Sequence, residues 1–200
     1  MSQTKDFILK TAFVLFTQKS YKAVTLKEIV EKTGLSKGAF YHYFTSKENL
    51  FLEVVDTFFF KAMIVDYKKF RKSSLKEFYT DYLITIQKSF KELKENLILG
   101  DPSVNINFIT ILFDAINIFS DFRDKLLQVL DNEIKAWTEI IHSARNNGEF
   151  TSPMTDDQIA RMFIYSNDGI SLRLLLEGRL EQMHSEMITL WDNFYDEIKN

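Results

Sequence analysis

The chain has 200 residues, 46% hydrophobic and 26% charged, with a formal net charge of −3, enough for one or two domains with a sizeable core. It contains no cysteine, which excludes disulfides and thiolate metal sites. No apolar run approaches the roughly 18 residues needed to span a bilayer, since Asn105, Asn107, Thr110, Asp114 and Asn117 interrupt the best candidate, 104–119.

The elements in chain order are all helices. The first, about 3–19, places Ile8, Ala12, Leu15 and Phe16 on one stripe at helical spacing. Thr25 with Glu28 forms a capping box that opens the second. Gly34 suits the left-handed residue that ends it, and Ser36 is a good N-cap for the third. Thr45 with Glu48 repeats the box and starts a long fourth helix to about residue 70. Ser74 with Glu77 opens a fifth, to about 97, stopped at Gly100-Asp101-Pro102. Pro102 suits the start of a sixth, 103–119. Asp121 begins a seventh that ends near Arg145-Asn146-Asn147-Gly148. Thr155 with Gln158 caps an eighth, about 155–177, and a ninth covers about 181–198. With 2 Pro and 6 Gly in the whole chain, this order leaves no room for a sheet, and the predicted fold class is all-α.

Helices two and three read as a helix-turn-helix unit, whose second helix enters the major groove of DNA. Leu26, Ile29, Val30, Leu35, Phe40 and Phe44 are the apolar positions that lock the pair onto helix one. That leaves Ser36, Lys37, Gly38, Tyr41 and His42 outward. Gly38 permits close backbone approach, and Lys37 can donate to phosphate or to guanine acceptors. Tyr41 and His42 offer donors on rigid rings. Thr25 and Lys47 stand at the starts of helices two and four, where free N–H groups attract phosphate. Tyr43 is open between bracing helix one and touching a phosphate. Charge is split accordingly: residues 1–50 hold eight Lys against four acids, while the rest holds 17 basic and 24 acidic residues. A basic head on an acidic body suits a chain that meets phosphates at one end.

The run Ile8…Ala12…Leu15-Phe16, Val24-Thr25…Ile29…Gly34-Leu35-Ser36-Lys37-Gly38-Ala39-Phe40-Tyr41-His42-Tyr43-Phe44…Ser46-Lys47-Glu48…Leu50 resembles the N-terminal domain of TetR-type (tetracycline-repressor-like) transcriptional regulators. The resemblance covers about residues 5–55. It implies an N-terminal DNA-binding domain, 1–47, and a helical ligand-binding and dimerisation domain, 48–200. It also implies DNA contacts from Thr25, Ser36, Lys37, Gly38, Tyr41, His42 and Lys47. Ser20 stands where the family usually has Gly, Val30 and Thr33 where Ala is common, and Ala39 often appears as Thr.

The resemblance further implies a homodimer built from the last two long helices, which here carry Ile159, Met162, Phe163, Ile170, Leu174 and Leu175, then Met183, Met187, Leu190, Trp191 and Phe194, with an internal core as the alternative for these residues. Two readers about one helical turn apart, roughly 34–36 Å, would read a near-palindromic operator. A small apolar or aromatic effector held between helices four to seven is implied as well, with Phe59, Met63, Tyr82, Phe108, Phe113, Asp114 and Trp137 as candidate lining. Each of these is also a candidate for plain core. On helix six, Asn107, Thr110, Asp114 and Asn117 form a polar stripe that either lines such a chamber or faces water.

The expected function is therefore a ligand-responsive repressor. It needs no cofactor or metal and is cytoplasmic, the opening residues lacking the layout of a secretion signal. An enzyme is disfavoured, because His42, His142 and His184 lie on separate elements and no phosphate loop or nucleophile elbow occurs. A helical adaptor that binds only protein is the remaining alternative.

Overall fold

The scarcity of helix breakers is matched by a computed structural model that is helical through most of its described residues, 2–97 and 107–200. Among those residues the cross-strand pairing is one isolated antiparallel bridge, between Phe150 and Lys199. The predicted break at Gly100-Asp101-Pro102 lies outside the described residues. The chain divides into two compact units, Met1–Ile64 with Phe90–Lys125, and Val65–Ser89 with Leu126–Asn200.

In the first unit, α1 (Gln3–Gln18) is the central element, burying Ile8, Leu9, Ala12, Phe13, Leu15 and Phe16. The predicted stripe is all there. α2 (Leu26–Thr33) starts at Thr25, whose hydroxyl accepts from the Glu28 N–H at 3.1 Å, and ends on Gly34 at φ 66°. The box is only half formed: the Glu28 carboxylate turns to Lys19 instead. α3 (Lys37–Tyr43) is capped by Ser36, as its sequence predicts. For α4 (Lys47–Val54) the cap is one residue later than Thr45: the Ser46 hydroxyl accepts from the Asn49 N–H at 3.0 Å.

The fourth helix does not reach residue 70. After α4 the chain widens into a π-helical stretch, Val55–Phe60, then closes with α5 (Lys61–Met63) before Ile64 turns extended. A π turn advances each residue through a smaller angle than an α turn, so Phe58, Phe59 and Phe60 are all buried. Phe58 packs on Phe13 at 4.8 Å, and Phe60 on Phe122 at 5.2 Å. Asn107, predicted inside the sixth helix, is instead the extended cap of α7 (Phe108–Ile118), and the predicted stretch 103–106 lies outside the described residues.

The second unit begins with a 3-10 turn, Tyr67–Lys69. Here the helix expected to run to 70 gives way because Tyr67 and Phe70 are drawn onto Phe78, at 6.2 and 5.4 Å. The unit takes residues 75–89 of α6 (Leu75–Leu97), residues 126–146 of α8 (Phe122–Asn146), α9 (Asp156–Glu177) and α10 (Met183–Ile198). α9 opens with the full Thr155–Gln158 capping box predicted for it. Its core is aromatic: Trp137 meets Phe163 at 5.1 Å and Trp191 at 5.3 Å. The Trp191 indole donates to the Ser166 hydroxyl. Glu149 accepts from the Leu75 N–H and the Tyr195 hydroxyl, so one carboxylate ties α6 and α10 to the loop between α8 and α9.

Candidate nucleic-acid interface

α3 has two unlike faces. Phe40 and the following Phe44 are fully buried, locking the helix beside α1 and α2, and Ile29 is buried with them. Leu26, Val30 and Leu35 are half-buried. Opposite them, Ser36, Lys37, Gly38, Tyr41 and His42 are all exposed, Tyr41 with 53% of its surface open. The sequence placed these five outward, and the fold brings them together on one short helix. Tyr41 is held edge-on against Phe40 at 5.6 Å, and His42 edge-on against Tyr43 at 4.9 Å, which limits how far either ring can swing. Tyr43 itself is half-buried.

Two local details bear on this face. The Ser36 hydroxyl accepts from the Ala39 N–H at 3.2 Å, so its own O–H is left to donate outward. A Cβ added at Gly38 would meet nothing nearer than that hydroxyl, at 4.0 Å. The fold has room for a side chain there, and its absence leaves bare backbone at the start of α3. Thr25 is exposed at the start of α2.

Lys47 sits differently from the expectation of a phosphate donor. It is half-buried, and its ammonium donates to the carbonyls of Tyr21 and Val24 at 2.8 and 2.9 Å. Burial pulls its pKa down, against the opposing pull of Glu48 and Asp114. Two of its three N–H groups are thereby used inside the fold. Ser20, in the same turn, has no positive φ, so the expected glycine is not needed there.

The basic balance of residues 1–50 is also redistributed. Lys5, Lys10, Lys19 and Lys27 pair with Glu53, Asp6, Glu28 and Glu31. With Lys47 on carbonyls, the lysines left without an acidic partner among the described residues are Lys22, Lys32 and Lys37, all exposed. Lys22 and Lys32 are not among the candidates drawn from the sequence. The i,i+4 spacing of Lys10 with Asp6 and of Lys27 with Glu31 signals two of these four pairings, while Lys5 and Lys19 meet acids on other elements.

The candidate effector residues separate between the units. In the first, Phe59 faces Phe108 at 6.4 Å, Met63 is half-buried and Phe113 is 59% exposed. Asp114 is half-buried and accepts the Tyr21 N–H. In the second, Tyr82 and Trp137 are packed core rings 5.4 Å apart. Beside them Glu133 accepts the hydroxyls of both Tyr82 and Tyr67, at 3.0 and 3.3 Å. Burial raises the Glu133 pKa, and the two tyrosine bonds only partly offset this.

Five of the eleven residues expected at the dimer seam are buried within the chain's own second unit. Ile159, Phe163, Leu174, Met187 and Trp191 lie in the core of the second unit. Met162 and Leu190 are exposed, as are Tyr165, Leu172 and Leu176, which the sequence reading did not name. With Gly169, the α9 members Met162, Tyr165, Leu172 and Leu176 recur at alternating intervals of three and four, one face of a helix.

Residues 8–54 match the model of a family described as bacterial regulatory proteins, tetR family. Over 94% of this chain and 83% of the other, the sequence is 25% identical to the transcriptional regulator AcuR of Cereibacter sphaeroides. It is 48% identical to the regulator QacR of Staphylococcus aureus across 52 residues, 26% of this chain and 28% of that protein. The crystal structure of NalD, described as the secondary repressor of the MexAB-OprM multidrug efflux pump in Pseudomonas aeruginosa, superposes with a TM-score of 0.67. That match covers 99% of this chain and 97% of NalD at 18% identity.

Proposed function

The chain belongs to the TetR-type transcriptional regulators, and on that premise we propose that it represses transcription by binding a near-palindromic operator as a homodimer. It is a DNA-binding regulator and not an enzyme. The single observation that carries the proposal is the two-faced α3, with Phe40 buried behind an exposed Ser36, Lys37, Gly38, Tyr41 and His42. A helix anchored from behind, with bare backbone at residue 38 and donors on rigid rings, suits insertion into a major groove. Thr25, Lys22, Lys32 and Lys37 supply contacts to the phosphates that fix its register. Lys47 acts from inside, holding the turn before α2. Functionally the reader ends at residue 47 and the body begins at 48, although the compact units are cut elsewhere.

The homodimer forms through the exposed stripe of α9 and Leu190 of α10. Gly169, with open space around its Cβ position, permits close approach of the two α9 helices. A small aromatic effector releases the operator by binding the ring-rich body in a conformation that does not fit DNA. The uncompensated Glu133 favours an effector that also carries positive charge.

The test is a gel-shift titration with duplexes tiling the DNA beside the chain's own gene, at two salt concentrations. Selective, salt-sensitive retention of one duplex is expected, lost when Tyr41→Ala and Lys37→Ala are combined. Equal retention of every duplex would sink the reading.

A further inference from the structure

Tyr21, in the turn between α1 and α2, has both sides of its backbone bound by side chains from distant elements. Its N–H donates to the Asp114 carboxylate of α7 at 2.5 Å, and its carbonyl accepts from Lys47 at the start of α4. The ring is held as well, against Phe51 at 4.9 Å and Phe16 at 5.9 Å, with the Lys47 ammonium 4.0 Å above its centre. The same turn closes on itself through Ala23 and Val24 N–H bonds to the Ser20 carbonyl. It leads directly into Thr25 and α2. Any displacement of Tyr21 is therefore passed to the helix-turn-helix pair within a few residues.

We infer that Asp114 is a positioning residue for DNA binding: α7 sets the pose of the reader by holding the Tyr21 peptide against Lys47. The inference rests on the DNA-reading role proposed above. It assigns Asp114 to the reader's support and removes it from the effector lining, because a carboxylate already bonded to a backbone N–H has its geometry fixed by that bond. Asp114 meets no DNA itself. Its loss frees the turn to sample other poses, so the penalty falls on the selected sequence, where register and orientation matter. Loose electrostatic binding, which depends on phosphate contacts alone, is spared.

The full-length chain is titrated against the duplex it selects and against a scrambled duplex, at several salt concentrations. The proteins are wild type, Asp114→Ala, Asp114→Asn and Lys37→Gln. Asp114→Ala is expected to weaken binding to the selected duplex about tenfold. Its binding to the scrambled duplex and its salt slope stay at the wild-type level. Asp114→Asn, whose amide oxygen can still accept from Tyr21, recovers most of the loss. Lys37→Gln serves as the contrast, lowering the salt slope by about 0.9 through a lost phosphate contact.

Wild-type affinity in Asp114→Ala overturns the inference, and so does an equal loss on both duplexes. If Asp114→Ala fails to fold, Asp114→Asn decides: its Tyr21 amide proton, followed by NMR, is expected to move upfield as a neutral amide oxygen replaces the carboxylate. An unchanged Tyr21 amide overturns the inference. A wild-type chain that selects no duplex brings down the DNA-reading role and this inference together, and it shows itself before any substitution is made.

Discussion

The Lys47 ammonium lies 4.0 Å above the centre of the Tyr21 ring and donates to that residue's carbonyl at 2.8 Å. A lysine at the start of a helix is ordinarily solvated or, in a DNA reader, aimed at a phosphate. Here its reach is turned inward, and a second bond to Val24 completes the attachment.

Lys47→Gln is accordingly expected to destabilise the chain. Hydrogen bonds to a charged group are worth about 1.5–3 kcal/mol when intact. Half-exposure puts this site at the lower end, about 1–2 kcal/mol for the pair after solvent screening. Thermal unfolding followed by circular dichroism measures the loss. Selective DNA binding weakens with an unchanged salt slope. A slope reduced by about 0.9, with no loss of thermal stability, would return Lys47 to the phosphate.

The three unpaired lysines make the opposite prediction. Lys22→Gln, Lys32→Gln and Lys37→Gln should each lower the salt slope by about 0.9 where the side chain meets a phosphate, weakening every sequence alike. Lys27→Gln, removing a lysine already paired with Glu31, is the internal control and should leave the slope unaltered. Fluorescence anisotropy across a salt series gives all four. A control that behaves like the other three would show that ion pairing does not sort these lysines.

Local signals were legible in the sequence wherever one residue and its near neighbours decide the outcome. Gly34 takes the left-handed conformation that ends α2, Ser36 caps α3, and Thr155 with Gln158 closes a complete box. The outward set on α3 follows from the burial of Phe40 and Phe44, which any helical wheel displays. What was hidden depends on long-range competition. Glu28 abandons its box for Lys19, and the fourth helix stops because Tyr67 and Phe70 have rings to meet in the second unit. Asp114 and Tyr21 stand 93 positions apart, beyond the reach of periodicity. Five residues expected at a seam are core instead, because α9 is apolar on two faces and only packing tells which one is inside.

The outer face of α9 carries its own prediction. Leu172 and Leu176 are 48% and 75% exposed, a large apolar surface to leave against water. Leu172→Lys with Leu176→Lys should leave the core intact, since neither side chain contributes to it, while placing like charges across a two-fold seam. Sedimentation is expected to show a dimer for wild type and a monomer for the variant, with helicity unchanged. A variant that still dimerises would exclude this stripe as the seam.

Glu133 predicts a pH dependence with a definite sign. Its carboxyl is raised above the ordinary 4.5, first by burial and further by Asp168, with the Tyr82 and Tyr67 hydroxyls pulling the other way. An acid whose folded pKa exceeds its unfolded value favours the folded state fully at low pH. That contribution is lost as pH rises through the folded value, because the unfolded chain ionises more easily. Glu133→Gln keeps an oxygen to accept the two tyrosine hydroxyls and removes the charge. The variant should therefore melt at or above the wild-type temperature at pH 8, and the difference should shrink toward pH 4, where the wild-type carboxyl is itself protonated. Melting curves between those limits measure it. A wild type that outlasts Glu133→Gln at pH 8 would mean the ionised carboxylate is a net stabiliser. In that case a positively charged effector has no unmet charge to answer at this site.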